Sequence, residues 1–536
     1  MPRGYLALVL HAHLPFVRHP EHERPLEERW LHEAIAECYL PLIAAFDRLE
    51  ADGVPFALTM SLTPPLAAML RDDLLRSRFD DHLARMQTLC DHEVVRLDGD
   101  AFFGPVADFY RRRLAEIAAT WHRIDRDIIG ALVRHADAGR IDLITCSATH
   151  AYLPGLLPRR TSLRAQLRLG VAAFKHLVGR EPLGAWLPEC AYEPAFDADI
   201  AEAGIRYTVL DTHGLTRAEP RPAFGVYHPI VSPSGVAFFA RDDNASRQVW
   251  SREIGYPGNP FYRDFYRDIG FDLPESELYG EVGPFGSRVM TGLKYHRITG
   301  GTEQKLAYQP GIARERARID AADFVGARLA EVDRLSATMP VPPVIVAPYD
   351  AELFGHWWFE GPWFLEDVFR HLDAATRAGA ELVPASLRGY LATHPTALSA
   401  TPAASSWGEG GHGGVWVGPA AAPLWRHVHH GSQLVEHLVS TRRFETGVRG
   451  EALDLAIREG LLLQTSDWPF IVKTGSMVEY AEARTRVHAS RIRRLAGMVE
   501  GESIRDEDVA WMRDLDGRDT FLRGMPGETL RAAFDP

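Results

Sequence analysis

Seven short apolar runs, separated by amphipathic stretches, occur along the chain. Most of these runs lack the polar alternation of a half-exposed strand, which is typical of parallel strands covered on both faces. Stretches such as 162–179 and 195–204 have helical spacing and lie between the runs. The alternation therefore predicts an α/β barrel or a doubly wound parallel sheet. The runs are YLALVL (5–10), PFALTM (55–60), IDLITC (141–146), LGAWL (183–187), RYTVL (206–210), PVIVA (343–347) and ELVP (381–384).

Two segments interrupt this alternation. Residues 66–136 are rich in helix formers and are expected to form an inserted helical domain. Residues 226–310 are rich in Gly, Pro and aromatic residues and are expected to form long loops over the surface, where binding groups often lie. The segment TALSATPAASS resembles a linker, and the stretches after it predict helices. The expected domains are a barrel over 1–65 and 137–394, the insertion at 66–136, and a C-terminal helical domain over 395–536.

Size and composition exclude several classes of protein. The chain has 536 residues, enough for two or three domains, and its net charge of -13 argues against nucleic acid or an anionic membrane as the main partner. The four cysteines are widely spaced and form no CxxC pair, so neither a zinc ribbon nor a disulfide scaffold is indicated. The apolar run near the N-terminus is too short for a signal peptide. We interpret it as a buried strand and expect a cytoplasmic protein without a membrane span.

Five of the apolar runs end in residues that are capable of acid–base chemistry. In α/β barrels and parallel sheets the carboxyl ends of the strands carry the active site, so these side chains are expected to surround one pocket. A single Asp at a strand end is commonly a helix cap, and either histidine of the first pair could equally be a core residue. Five such ends in one chain favour a shared site. They are His11 and His13, His150, Glu189, Asp211 and His213, and Asp350 and Glu352.

Two carboxylates in a sugar-sized cleft can break a glycosidic bond. One attacks the anomeric carbon and the other protonates the leaving oxygen, so their surroundings must hold their pKa values apart. Nearby tryptophans fit this interpretation because aromatic faces stack on sugar rings, although they would equally fill a barrel core. These tryptophans are Trp186, Trp357, Trp358 and Trp363.

The stretch SSWGEGGHGGVWVG places Trp407 and Trp416 on either side of a glycine-rich segment. Glycines allow a backbone to approach a ligand closely, or they form a flexible linker. The stretch lacks the spacing and the following Lys-Ser/Thr of a phosphate loop.

Several longer motifs resemble glycoside hydrolase family 57, and within it the 1,4-α-glucan branching enzymes. The resemblance extends through most of the chain, and the longer motifs are specific. They are HAHLPFV, GAWLPECAY, FFARDDNASRQVWS, GLKYHRITG, APYDAELFGHWWFEGP, WGEGGHGGVW and LLLQTSDWPFI.

This resemblance implies a (β/α)7 barrel with an inserted helical domain and a C-terminal α-helical domain that contributes to the glucan site. It implies that Glu189 is the nucleophile and Asp350 the general acid/base of a retaining reaction, which cleaves an α-1,4 glucan and transfers the segment to a 6-hydroxyl. It implies no metal and no cofactor, an α-glucan such as amylose or glycogen as partner, and no nucleic acid. Whether the chain is a monomer or a homo-oligomer stays open. Substrate-binding residues are expected at His11, His13, Trp30, His150, Trp186, Asp211, Arg241, Trp358, Trp407, Trp416 and Asp467.

The resemblance also implies a mobile loop whose tyrosine shields the reaction intermediate. The stretch 233–262 offers Phe238, Phe239 and Tyr256 without a clear choice among them. A shortened loop would favour hydrolysis over transfer.

Three alternatives remain open at this point. A metal-dependent polysaccharide deacetylase could use His11, His13 and Asp211 as ligands, although the chain has no HExxH and no compact ligand spacing. An α-amylase or a 4-α-glucanotransferase would share the two carboxylates and differ in the loops. A non-catalytic glucan-binding protein would keep the aromatic residues and lose a carboxylate, whereas both Glu189 and Asp350 are present.

Overall fold

The computed structural model describes residues 2–251, 253–396 and 398–535. Nine strands occur within these ranges, and all of them precede the C-terminal helical region. They are β1 Gly4–Ala12, β2 Leu58–Leu62, β3 Ile141–Cys146, β4 Ala185–Trp186, β5 Tyr207–Leu210, β6 Ile230–Val231, β7 Ala237–Ala240, β8 Val344–Asp350 and β9 Leu382–Pro384.

Seven parallel strands form the barrel. One path runs β4-β3-β2-β1-β8, and β5 pairs in parallel with β7. A parallel bridge between Gly184 and Tyr207 joins β4 to β5, and the Asp242 N–H donates to the Val346 carbonyl at 2.9 Å to join the end of β7 to β8. This closure confirms the predicted (β/α)7 barrel and excludes the doubly wound sheet. Strand β9 pairs with the start of β1, and β6 pairs antiparallel to β7.

Strand β1 lies between β2 and β8 in the longer path. Its sequence, GYLALVLHA, is buried at all but one position, because β2 and β8 flank it and side chains cover both faces. Its register places His11 level with Ser61 on one side and with Asp350 on the other. The polar residues at these strand ends therefore lie at the same height on one end of the barrel.

One strand of the barrel lies inside the segment 226–310, which was expected to form only loops. Strand β7 has the sequence AFFA and all four residues are buried. The prediction was wrong here because the apolar run AFFA lies in a segment whose glycines, prolines and aromatic residues together indicated loops. The rest of the segment carries the two-residue strand β6 and short helices in its described part; Arg252 lies outside the described residues.

Helices cover the barrel and predominate in the two regions that lack strands. A π-helical stretch, Ala34–Tyr39, joins the first two α-helices. The α-helices that precede the C-terminal region are α1 Glu28–Glu33, α2 Leu40–Ala51, α3 Pro64–Arg71, α4 Asp73–Arg96, α5 Gly104–Arg123, α6 Ile128–Asp137, α7 Arg160–Val178, α8 Asp197–Glu202, α9 Thr212–Thr216, α10 Asp243–Trp250, α11 Ile269–Asp272, α12 Pro310–Ser336, α13 Gly361–Arg377 and α14 Leu387–Thr393. Those of the C-terminal region are α15 Gly414–Val417, α16 Ala422–Arg442, α17 Gly447–Leu463, α18 Asp467–Thr474, α19 Val478–Glu500, α20 Asp506–Arg518 and α21 Gly527–Ala532.

Helices α3 to α6 all lie between β2 and β3, in the region where an inserted helical domain was expected. In the C-terminal region α17 packs against α16, α19 and α21, and its middle is buried on every side. None of the helices in the described ranges is long and apolar enough to cross a lipid bilayer.

The segment TALSATPAASS, expected to be a linker, is hydrogen-bonded to loops of the barrel. Thr401 bridges Glu219 and Ser405 bridges Tyr192, so its backbone polar groups are paired with the barrel loops. Small residues were misleading here because they allow a strand-like stretch to lie flat on a surface as easily as they allow a free linker. Ala397, which belongs to this segment, lies outside the described residues.

Candidate active site

The carboxyl ends of the barrel strands open into a cavity of about 500 Å³, here called the cleft. Barrel strands and the loops after them supply most of its wall, and the C-terminal helical region supplies the rest. The N–H of Ser466 donates to the His150 carbonyl at 2.9 Å, which holds the start of α18 over the cleft. The cleft is lined by His11, His13, Leu14, Pro15, His150, Glu189, Arg241, Trp250, Asp350, Glu352, Trp357, Trp407, Gly408, Val415, Trp416, Asp467 and Phe470.

Glu189 lies in a tight turn just after β4. Both Glu189 and Cys190 have left-handed backbone conformations, with φ of 63° and 49°. The Cys190 N–H donates to the Leu187 carbonyl at 2.9 Å, which closes the turn. A non-glycine residue in this region costs about 1–3 kcal/mol and persists only where its surroundings impose it. The turn directs the Glu189 side chain into the cleft, where the residue is 9% exposed.

The Glu189 carboxylate is held by two donors. The Trp407 indole N–H donates to Oε2 at 2.7 Å, and the Ser466 hydroxyl donates to Oε1 at 2.8 Å. Burial nevertheless raises the pKa of Glu189 to about 7, against the lowering effect of these hydrogen bonds and with a smaller raising effect from the Asp350 charge. Glu189 therefore ionises near neutral pH and has a fixed orientation.

Asp350 ends strand β8. Burial raises its pKa well above its usual range, and the nearby charge of Glu352 adds to this effect. Within the described residues no side chain or backbone group donates to its carboxylate, so nothing favours its ionised form. The surroundings of Asp350 therefore favour its protonated form and lack the donors that stabilise ionised Glu189.

Glu352 lies two residues beyond Asp350 and is tied into the wall. Its Oε1 accepts hydrogen bonds from the Tyr39 hydroxyl and, at 3.2 Å, from the His13 N–H. Burial raises the pKa of Glu352 to about 7 despite these donors. Glu352 thus orients the loop after β1 and sets the charge beside Asp350.

Three histidines form one face of the cleft. The ring nitrogens Nε2 of His11 and His150 are hydrogen-bonded at 2.9 Å, and the rings of His13 and His150 stack with centroids 3.8 Å apart. Burial, followed by repulsion between neighbouring histidines, lowers the pKa of His11 and of His150 well below the usual range. Both rings are therefore neutral at pH 7 and can accept or donate hydrogen bonds to sugar hydroxyls.

Asp467 closes this face from the C-terminal region. Its Oδ2 lies 3.1 Å from His13 Nε2. Burial opposes the ionisation of Asp467, but the His13 charge and hydrogen bond outweigh it and hold the pKa below its usual value. One ligand atom each from His13, His150 and Asp467 lies within 4.8 Å of the others, a spacing that a cation could use. The hydrogen bonds of these atoms to Ser466, His11 and one another make them a polar wall.

Aromatic side chains form the remaining walls. Trp357 is 57% exposed and lies on the side of the cleft that follows β8. Trp416 stacks on Tyr152 with ring centroids 5.4 Å apart, and its indole nitrogen is buried without a hydrogen-bond partner among the described residues. The Nε atom of Arg241 is also buried and has no hydrogen-bond partner among the described residues.

The glycine-rich stretch is a folded turn that positions two of these aromatics. Gly413 has φ of 73°, and a Cβ there would lie 1.8 Å from the Tyr152 hydroxyl. The Ser406 hydroxyl accepts from the Gly413 N–H at 2.7 Å, and the Ser406 N–H donates to the Gly411 carbonyl at 2.9 Å. The flexible-linker interpretation is therefore wrong, because these contacts fix the stretch that carries Trp407 and Trp416.

Four of the expected substrate-binding residues do not line the cleft. Trp186 is 0% exposed and stacks behind His11 at 4.7 Å, so it supports the histidine face from the core. Trp358 is buried and packs on Phe364 at 4.9 Å. Both tryptophans therefore face the core. An aromatic side chain near the end of a strand can point to the core or to the cleft, and the sequence does not distinguish the two.

The other two lie behind or beside the wall. Asp211 is buried and its Oδ2 lies 2.6 Å from Arg241 Nη2, so it orients an arginine that does line the cleft. Trp30 is half-buried and packs edge-on against Tyr480 at 6.1 Å. Neither Asp211 nor Trp30 therefore lines the cleft, where it could contact a ligand directly.

Sequence reasoning missed Trp250, Phe470 and Ser466. Trp250 ends α10 and Phe470 lies on α18, so neither follows an apolar run. Ser466 precedes the predicted Asp467 but donates to a carboxylate 277 residues earlier in the chain. The motif that contains Ser466 was the only available signal.

None of the candidates for a shielding tyrosine reaches the cleft. Phe238 and Phe239 are buried in β7. The Tyr256 hydroxyl donates to Asp323 at 2.7 Å, and this residue does not line the cavity. No tyrosine of the described ranges belongs to the cleft wall.

Comparison with known proteins agrees with this geometry. A family model described as glycosyl hydrolase family 57 matches residues 7–378, which is more than half of the chain and includes both carboxylates. The chain belongs to glycosyl hydrolase family 57. A second model, for the C-terminal part of 1,4-alpha-glucan branching enzymes, matches residues 427–525 of this family 57 protein.

Individual relatives of this family 57 protein include both branching enzymes and an amylase. It is 32% identical to the 1,4-alpha-glucan branching enzyme TK1436 of Thermococcus kodakarensis, over 97% of this chain and 78% of that protein. The crystal structure of an alpha-amylase, AmyC from Thermotoga maritima, superposes with a TM-score of 0.91 at 36% identity and covers 99% of each chain. A GH57-type branching enzyme from Pyrococcus horikoshii superposes with a TM-score of 0.86 at 30% identity, over 98% of this chain and 97% of that one.

Proposed function

We propose that this protein is a 1,4-α-glucan branching enzyme that works by a retaining double displacement. The observation that carries the proposal is that Glu189 and Asp350 line one cleft and differ in their surroundings. Glu189 has two hydrogen-bond donors and a pKa of about 7, whereas Asp350 has a pKa raised well above its usual range. Two donors favour the ionised form of Glu189 and none favours that of Asp350, so the surroundings suit a nucleophile at Glu189 and a general acid at Asp350.

In the first step the Glu189 carboxylate attacks C1 of an α-1,4-linked glucose. The bond from C1 to the glycosidic oxygen breaks, and Asp350 transfers its proton to that oxygen. The shortened glucan leaves, and the rest of the chain stays on Glu189 as a covalent ester. The Asp350 carboxylate is now ionised and can act as a base.

In the second step the 6-hydroxyl of another glucan chain enters the cleft. Asp350 removes its proton, the oxygen attacks C1, and the ester to Glu189 breaks, so an α-1,6 branch forms with retention. Water in the same position would give hydrolysis. The outcome depends on how well the aromatic walls position an acceptor and exclude water.

The polar face of the cleft is proposed to hold the glucose unit that reacts. The neutral rings of His11 and His150 and the ionised Asp467 offer acceptors and donors for its hydroxyls. Trp407 and Trp416 would contact neighbouring glucose units. The product is proposed to be a glycogen-type α-glucan made in the cytoplasm.

Two similarities support branching over other reactions on the same substrate. The relative TK1436 is called a branching enzyme and aligns along almost the whole of this chain. The match at 427–525 is to a C-terminal part described for branching enzymes.

An α-amylase is the second candidate. The similarity to AmyC, called an alpha-amylase, supports it, at 36% identity over 99% of both chains. The cleft wall also contains no tyrosine among the described residues, so the expected shield of the intermediate has no assigned residue.

One incubation with amylose separates the two. Branch points are measured as α-1,6 linkages by proton NMR, and new chain ends by a reducing-sugar assay on the same sample. Many α-1,6 linkages with few reducing ends support branching. Reducing ends without α-1,6 linkages would establish the amylase instead, and neither product would reject both.

A further inference from the structure

A second cavity, of about 480 Å³, lies on the outer flank of the barrel. Helices α2, α5, α12 and α13 form its walls, and no residue lines both this cavity and the cleft. Its size is sufficient for two or more sugar units. We call it the flank groove, and the residues used below are Arg48, Arg113, Glu116, Ala119, Arg314 and Trp363.

Trp363 supplies an aromatic surface in the flank groove. The residue lies near the start of α13 and is half-buried. Its ring meets Phe109 and Phe359 edge-on, with centroids 6.1 Å and 6.0 Å away, and the Arg314 guanidinium lies over one face, 5.9 Å from the ring centroid. These contacts fix the ring before a ligand arrives, which reduces the entropy lost on stacking.

Arg113 supplies hydrogen-bond donors that the protein does not use. Its guanidinium lies 4.3 Å from the centroid of the Phe359 ring. Its Nη2 atom is buried and has no hydrogen-bond partner among the described residues. No carboxylate of the described residues forms an ion pair with Arg113, which is half-buried as a residue, and the fixed fork of a guanidinium suits two neighbouring oxygens.

The other charges of the flank groove are largely compensated. Arg48 donates to Glu366 at 2.7 Å, and Arg314 is ion-paired with Asp367. This leaves Arg113 and the exposed Glu116, which carry opposite charges. The groove is therefore close to neutral, which favours an uncharged polyhydroxylated ligand over a phosphate or another anion.

We propose that the flank groove is a second, non-catalytic binding site for an α-glucan chain. A sugar ring would stack on Trp363, and its hydroxyls would bond to Arg113 and Glu116. The choice of α-glucan rests on the proposed function. A site of this kind keeps a polymer attached while its other segments reach the cleft, so it raises the local concentration of substrate without contacting the reacting atoms.

The test uses a background in which the polymer is not consumed. Glu189→Gln protein is run in native gels containing increasing amounts of glycogen, and the retardation gives a dissociation constant. Trp363→Ala removes the stacking surface. Ala119→Trp fills the groove from an exposed position on α5 and leaves the core untouched. The matched control is Trp511→Ala, which removes a half-buried tryptophan beneath Arg494 in the C-terminal region.

We expect both groove variants to weaken glycogen binding by about fivefold or more, as loss of an aromatic anchor does, and the control to leave it unchanged. In the active enzyme Ala119→Trp should raise KM for amylose and leave the kinetics on a short maltooligosaccharide unchanged. Wild-type retardation of Ala119→Trp would overturn the proposal, as would equal weakening in the control. Because binding is measured in inactive protein, failure of the branching reaction would not affect this result.

Discussion

Trp407 and Glu189 are joined by two hydrogen bonds although 218 residues separate them. The Trp407 indole N–H donates to Oε2 of Glu189 at 2.7 Å, and the Trp407 backbone N–H donates to the Glu189 carbonyl at 2.9 Å. The glycine-rich stretch is thereby attached to the turn after β4. The same residue that forms an aromatic wall of the cleft also orients and helps to ionise the proposed nucleophile.

Replacing this indole tests that link. In Trp407→Phe the donor to Glu189 is lost, so the pKa of Glu189 should rise further above its present value of about 7. Activity that needs ionised Glu189 should then appear at higher pH, with the acid limb of kcat/KM displaced by on the order of one unit. A pH profile on soluble amylose measures this. An unchanged acid limb with only a raised KM would mean that Trp407 binds sugar and does not tune Glu189.

The proposed general acid can be tested with leaving groups. Asp350→Asn should lower kcat on amylose by about 10²–10⁴-fold, because the departing sugar oxygen needs a proton. An α-glucosyl fluoride should be affected far less in the first step, because fluoride leaves without one. Added azide should restore turnover and give the α-configured glycosyl azide. Equal losses on both substrates would remove Asp350 from this role.

Glu352 is predicted to set the alkaline limb of the pH profile. Its charge helps to raise the pKa of Asp350, so Glu352→Gln should lower that pKa. Asp350 would then lose its proton at lower pH, and the alkaline limb of kcat/KM should move to lower pH. The exposed Glu202→Gln serves as the control, because this residue lies outside the cleft. The same displacement in the control, or none in Glu352→Gln, would contradict the assignment.

The glycine-rich turn gives a stability test with an internal control. Gly410 and Gly413 have similar φ angles of 78° and 73°, but a Cβ at Gly410 meets nothing, whereas one at Gly413 lies 1.8 Å from the Tyr152 hydroxyl. Gly410→Ala should cost about 1–2 kcal/mol of unfolding free energy for its conformation alone. Gly413→Ala should cost more and should raise KM, since Trp416 follows it. Equal free energies of unfolding in urea would show that the turn can relax.

The strand ends were the most predictable part of this site. Parallel strands must end on one side, so polar residues after the apolar runs predicted a shared pocket, and the register that sets His11 level with Asp350 provides it. The same reasoning applied to Glu189 and His150, which also line the cleft. Local sequence was sufficient because the parallel topology brings the ends of the strands to the same side of the barrel.

Long-range contacts and the direction of aromatic side chains could not be predicted in this way. Ser466 reaches Glu189 across 277 residues, and no period or spacing marks such a contact. Trp186 lies in β4 and Trp358 follows β8, and both face the core, whereas Trp357 faces the cleft. Strand β7 was missed because its apolar run lies in a segment whose overall composition indicated loops.

The most direct test of the catalytic assignment is to trap the covalent intermediate. The protein is incubated with 5-fluoro-α-glucosyl fluoride, digested with a protease at low pH, and analysed by tandem mass spectrometry, with Glu189→Gln treated in parallel. We predict one added fluoroglucosyl group per chain, located on Glu189 and absent from the variant. Labelling of another residue, or of the Glu189→Gln protein to the same extent, would contradict the account.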